Sequence, residues 1–299
     1  MKPKKTKGFW GAENPLDFRA KRGQVSIFMI VALVILLIAG FYFYISLSSG
    51  KSKTNIVAAK VSKSPDADIV KSYAESCIRK ISENALFEKI GLQGGYIGAS
   101  SDSTNYLGHQ VPYFLQGIKS NGVTTYNSNI PTLNFIKNNL ASHIEAEFEN
   151  CFKPDVFSQI GLKVVKTGSI KADVGSNEGD ISVKINYPLI IHKEKAETKI
   201  DSFSVILPIR LKSIYDSAAS LVEKAKNSQP NQYNIGSDCG ELLNFDKDKL
   251  TNIYLRTNND GSFIVQYVDF STYHRHYFNS YFFQFAAKNV NIAGECVGS

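Results

Sequence analysis

Four cysteines and five histidines are all that 299 residues hold of two common kinds of metal ligand and nucleophile. No two cysteines stand as a CxxC pair, which excludes the usual zinc and redox motifs. The histidines (His109, His143, His192, His274, His276) are scattered, and only His274 and His276 could share a face, at strand spacing. Two ligands do not make a zinc site. His143, Glu145 and Glu147 lie together in sequence, but their spacing does not bring three ligands to one side of a helix. There is no G-x-S-x-G, no P-loop, no H-E-x-x-H and no EF-hand pattern. A carboxylate pair such as Asp173 and Glu178 has nothing to set it apart from a solvated turn, and acid–base catalysis needs a pocket. No cofactor and no metal are expected, and an enzyme is the weaker reading. Internal repeats at solenoid or propeller spacing are also missing.

One further absence is positive information. Between Arg22 and Lys51 there is no charged side chain, and Val25 to Leu47 is almost wholly apolar. That run is close to the roughly 20 residues a helix needs to cross a bilayer, and longer than the roughly 7–15 of a secretory leader. Residues 24–47 therefore read as a transmembrane helix, with Phe41, Tyr42, Phe43 and Tyr44 as an interfacial belt. Of the net charge of +7, the head over residues 1–23 carries +5. Placed just before the span, this surplus fits a cytoplasmic head better than a nucleic-acid face. Residues 51–299 would then lie outside, together with Cys77, Cys151, Cys239 and Cys296. An even cysteine number in an oxidising compartment predicts two disulfides.

After a polar stalk over 48–64, Ser64-Pro65-Asp66-Ala67-Asp68 reads as a helix start. Ile69, Tyr73, Cys77, Ile81 and Ala85 recur every four residues, with Val70, Ala74, Ile78 and Leu86 widening the stripe. A second helix opens at Pro131-Thr132, carries Leu133, Ile136, Leu140, Ile144 and Phe148 on one stripe, and closes before Pro154. Antiparallel packing of this pair would bring Cys77 and Cys151 together. Of the three pairings, the element order favours Cys77–Cys151 and Cys239–Cys296. The connection over 91–131 is long for a compact domain and rich in Gly, Ser, Asn and Tyr. Either a packed excursion or a binding role would account for it.

Strict alternation then predicts strands in "GDISVKINYPLIIH" and "DSFSVILPIRL", which join "LKVVKTGSIKADV" in a three-stranded antiparallel meander. A helix with Ile214, Tyr215, Ala218, Leu221 and Val222 follows and is expected to cover it. "KLTNIYLRT" and "SFIVQYVDF" flank Asn258-Asn259-Asp260-Gly261, a hairpin turn. From Tyr267 to Phe285, nine of nineteen residues are aromatic. Tyr281, Phe283 and Phe285 alternate as a core face, which leaves Tyr273, Tyr277 and Phe282 as exposed contact candidates. The fold class is α+β: an N-terminal transmembrane helix, a helical hairpin (65–158), a meander with its helix (159–228) and an aromatic-rich segment (229–299).

Lys21-Arg22-Gly23-Gln24-Val25-Ser26 before an apolar helix resembles the archaeal class III prepilin-like leader. That resemblance implies cleavage between Gly23 and Gln24; Phe28 stands where pilins commonly place glutamate. Residues 21–45, 73–96, 111–117 and 132–151 also resemble uncharacterised archaeal single-pass membrane proteins. These share a "KRGQV" step, a cysteine-bearing helix, a "QGGYI"-like and a "PY" segment, and a second helix ending in cysteine. The resemblance implies an archaeal envelope protein and no particular activity. Expected partners are the lipid bilayer, an envelope protein or further copies, and a surface glycan, with no nucleic acid. The alternatives are a type IV pilin-like filament subunit and an extracytoplasmic enzyme.

Overall fold

The computed structural model describes residues 65–98, 100–274 and 279–297, without the side chains of 273 and 274. All of these belong to the second of two units, residues 60–299. The basic head, the apolar run 24–47 with Gly23 and Gln24, the stalk and Tyr277 lie outside the described residues. Among the described residues no helix is long and apolar enough to cross a membrane.

Helix α1 (Pro65–Asn84) carries Asp66 and Asp68 in its first turn and continues into a π-helical turn, Ala85–Ile90. Its buried stripe runs through Val70, Ala74, Cys77, Ile78 and Ile81, whereas Ile69 is 48% exposed. The stripe is thus centred one residue later than the four-residue count from Ile69 places it. Helix α2 (Leu133–Cys151) is capped by Thr132, whose Oγ1 accepts from the Phe135 N–H at 3.2 Å. It buries Ile136, Leu140, Ile144 and Phe148. Cys77 and Cys151 are disulfide-bonded across the two helices, with Cα atoms 5.7 Å apart. The 91–98 turn after α1 docks tightly elsewhere. A Cβ on Gly91 would come within 2.1 Å of the Phe282 carbonyl oxygen, so only glycine allows that approach.

The meander is built of β4 (Lys163–Lys166), β5 (Lys171–Ser176), β6 (Ile181–Lys193) and β7 (Ala196–Leu207). β6 is central: β7 lies on one edge, while β4 and β5 pair end to end on the other. The first strand is broken because Pro188 interrupts β6. Proline offers no N–H, the β6–β7 register shifts between Asn186 and Leu189, and the Pro188 carbonyl is taken by the Thr167 N–H at 3.0 Å. Ile181, Val183, Ile185, Tyr187, Leu189 and Ile191 are buried, as the alternation requires. β7 stops at Leu207 rather than Leu211, because Pro208 follows and Leu211 opens the next helix.

The cover over this sheet differs from expectation. Helix α1 lies against β7 and α2 against β5, whereas α3 (Leu211–Ser228) packs on a second sheet. The helix pair already carries the wide apolar stripes needed to close the meander. The stripe of α3, with Ser217 at its centre, is left to meet other strands.

That second sheet contains part of the 91–131 connection, which is mostly strand: β1 (Ser103–Tyr106), β2 (His109–Ser120) and β3 (Val123–Ser128). They join β9 (Thr251–Thr257), β10 (Phe263–Asp269) and β11 (Tyr281–Lys288) in the order β1-β2-β11-β10-β9, with β3 also on β2. β2 and β11 are parallel; the other pairs are antiparallel. β8 (Tyr233–Asn234) and β12 (Ile292–Ala293) form a short parallel pair. The β9–β10 hairpin turns at Asn258–Gly261, and Asp260 ties it to the neighbouring strands. Its carboxylate accepts from Thr104 Oγ1 and Tyr113 Oη, both at 2.9 Å, and from Ser262. The Ser262 hydroxyl, followed by these others, holds that carboxyl well below the usual carboxylate range.

Candidate functional site

The least ordinary place in the folded unit is the start of α3. Arg210 precedes the helix, its side chain only 7% exposed, between two wholly buried carboxylates. Its Nε and Nη2 donate to Asp269 Oδ2 and Oδ1 at 3.0 and 2.5 Å, a bidentate pair. Nη1 donates to Asp246 at 2.9 Å and Nη2 to Thr251 Oγ1 at 2.7 Å. The Phe245 ring lies 5.3 Å from the guanidinium carbon. Burial opposes the arginine's charge, yet Asp269 and then Asp246 raise its pKa above the ordinary value. For Asp246 burial likewise opposes ionisation, but the bond and charge of Arg210 lower its pKa. The acids are further satisfied by main-chain donors: Ser271 N–H to Asp269 at 2.8 Å and Thr251 N–H to Asp246. Close by, the Ser271 and Tyr281 hydroxyls are buried with no hydrogen-bond partner among the described residues.

Asp246 belongs to a segment, 239–249, that lends residues to two clefts. Leu243, Asp246 and Lys249 line one of about 270 Å³, together with Thr251, Val297 and the Cys239–Cys296 disulfide. Leu242, Asn244, Phe245 and Lys247 line the other, of about 530 Å³, with Glu178, Lys212, Ser213, Asp216, Ser217 and Ser220. In this larger, polar cleft several groups are already engaged. Ser213 Oγ donates to the Glu178 carbonyl, Ser217 Oγ to that of Leu242, and Lys212 pairs with Asp216 at 2.7 Å. The side chains of Ser220, Asn244 and Lys247 carry donors that these bonds leave over. Those donors, with the Glu178 and Asp216 carboxylates, make the lining polar. Neither histidine nor a free thiol lines it.

A third cleft, about 290 Å³, lies where α1's extension meets α2, and holds Lys89, His143 and Glu147. Lys89 Nζ is 3.4 Å from His143 Nε2. Burial, then the Lys89 charge, lowers the His143 pKa from its ordinary 6.5. Glu145 points elsewhere, accepting from the Ala172 N–H at 2.7 Å. Among the described residues no three His, Cys, Asp or Glu side chains converge as a metal site.

Of the aromatics singled out by pattern, Phe282 is 38% exposed on β11, with Tyr281, Phe283 and Phe285 buried beneath. The Tyr273 side chain and Tyr277 lie outside the described residues. Cys77, Cys151, Cys239 and Cys296 form two disulfides in the pairing that the element order favours. The sequence pattern hides the Arg210 cluster, because "PIRL" continues the alternation of the strand before it. A signal was present, since an arginine between Ile209 and Leu211 sits at a position whose neighbours are buried, and a buried arginine needs acidic partners. No protein-family model, no curated protein and no solved structure matches this chain.

Proposed function

We infer that this is a membrane-anchored cell-surface protein, serving as a binding or structural component of an archaeal envelope. The observation that supports it is the pairing of all four cysteines in two disulfides. Such bonds persist in oxidising compartments, and the chain approaches its folded unit through an uncharged run behind a basic head. On this reading residues 24–47 hold the protein in the bilayer and the folded unit faces outward. Its binding surface is the polar cleft beside Lys247 and Asn244, with a surface glycan as the ligand class.

The test is thiol labelling of the full-length chain on intact cells with a membrane-impermeant maleimide. Labelling is expected only after reduction, and external protease should remove residues beyond the stalk. Free thiols before reduction, or full protection from protease, would overturn the placement. The mass of the native N-terminus separates a permanent anchor from the pilin-like alternative: it begins at Met1 in the first case and at Gln24 in the second.

A further inference from the structure

Strands at sheet edges are ordinarily guarded by charge, proline or cover. β7 carries Glu197, Lys199 and Asp201, β4 carries Lys163 and Lys166, and β5 carries Lys171 and Asp173. β9 carries Arg256, and Ile253 is bridged by Cys296 through main-chain bonds of 2.7 and 2.9 Å. β3, Val123-Thr124-Thr125-Tyr126-Asn127-Ser128, has neither charge nor proline, and the helix that meets it, α3, bonds it at Ser128. Among the described residues it is the one strand of six or more residues without a charged side chain, and it pairs only with β2. Val123, Thr124, Thr125 and Asn127 are exposed. On the adjoining sheet face Ile118 and Val123 leave 46% and 64% of their surface in solvent.

The register fixes which main-chain groups are free. Asn129 N–H donates to the Phe114 carbonyl at 2.9 Å, and the ladder runs from Leu115↔Ser128 to Ser120↔Val123. Hydrogen-bonded pairs alternate along an antiparallel ladder, so Asn127, Thr125 and Val123 spend their groups on β2. Thr124 and Tyr126 turn theirs outward. Ser128 is the last such residue of β3: its hydroxyl is bound by Glu223 and Lys226 of α3 at 2.9 and 3.3 Å, and its main-chain groups turn outward like those of Thr124 and Tyr126.

We propose that β3 is a self-association edge, and that its occupant is β3 of a second copy of this chain, antiparallel across a two-fold axis at Tyr126. The argument for a second copy is self-complementarity. Outward groups must meet outward groups, which sets Tyr126 opposite its own equivalent and Thr124 opposite Ser128. No like charges oppose each other in that register, because the strand has none. A two-fold contact of this kind uses one patch on both partners and closes on itself. This deepens the assembly role proposed above and rests on it only for biological purpose. A chain on either side of the membrane would still pair.

All four native cysteines are paired, so a cysteine placed at residue 126 is the one free thiol. In the proposed register two such residues have Cα atoms about 5.5 Å apart, within the usual disulfide range. The test is oxidative cross-linking of the full-length Tyr126→Cys chain in lipid vesicles, with Lys163→Cys as the remote control. A linked pair is expected at residue 126 and absent at 163. Adding Thr124→Pro removes an outward N–H without touching the β2 ladder and should abolish the linked pair. Equal linking at both positions, or linking that survives Thr124→Pro, overturns the proposal. On the unsubstituted chain, amide exchange at Thr124 and Tyr126 should slow as protein concentration rises. Exchange independent of concentration overturns it as well. A surface protein that fails to link keeps its compartment and loses only this contact.

Discussion

Under the four-stranded sheet, helices α1 and α2 close a core of carbon. Phe148 stacks on Phe152 at 5.3 Å, Tyr187 meets Phe148 edge-on at 5.3 Å, and Tyr73 donates its hydroxyl to the Cys151 carbonyl. At the far end of the six-stranded sheet, the equivalent depth is occupied by an arginine and two aspartates. Each region is fastened by one disulfide. The difference teaches how each region fails. An apolar core loses stability in proportion to the volume removed. A buried ionic cluster holds or collapses as a set, because removing one partner strands the others.

The sharpest break of this contrast is Arg210→Ala. It leaves Asp246 and Asp269 buried and unpaired, and should cost about 3–5 kcal/mol in chemical denaturation of the full chain. Adding Asp246→Asn and Asp269→Asn should recover part of that loss, since the stranded charges are gone. A triple variant no better than the single one would show that packing of the arginine stem, not charge, dominates.

Next in size are the clamps. Removing either disulfide by paired alanine substitution should cost about 2–5 kcal/mol. The cysteines are separated by 74 and 57 positions, so loop closure alone makes the two losses differ by only about 0.2 kcal/mol. A larger measured difference would assign the excess to the cores they clamp.

Ile144→Val, within the apolar core, should cost about 0.5–1.5 kcal/mol, read as a shift in denaturant midpoint with unchanged slope. The smallest effect is a pH dependence at the helix pair. His143 has its pKa lowered in the folded state, first by burial and then by Lys89. The unfolded chain therefore takes up the proton first as pH falls. Stability from the neutral ring is full above about pH 6.5 and is lost as pH drops through the lower folded value. Lys89→Ala should shrink that loss, measured as the midpoint difference between about pH 5 and about pH 7.5.

Much of the fold was legible locally. The stripe of α2, the alternation along β6 and the Asn258–Gly261 turn are each written within one short continuous segment, and each carries its own physical signal. What was not legible was which surface met which. The helix assigned to the meander by sequence adjacency packs on the other sheet, because the helix pair before the meander already covered it. The 103–128 strands lie in a glycine-rich stretch that masks their alternation, although Asn121-Gly122 between "YFLQGIKS" and "VTTYNS" is a two-residue hairpin signal. Arg210, Asp246 and Asp269 are brought together from three separate segments, and no local pattern announces that.

β11 has a consequence for how the chain comes to its structure. It is the last long strand in chain order, yet it lies in the middle of its sheet, parallel to β2 and antiparallel to β10. A chain emerging from its N-terminal side makes β1, β2 and β3 well before their central neighbour exists. Until some 170 further residues have followed, one side of β2 waits open. Assembly of that sheet is thus a closing step that waits for β11 to be made, rather than one spread along the strands before it.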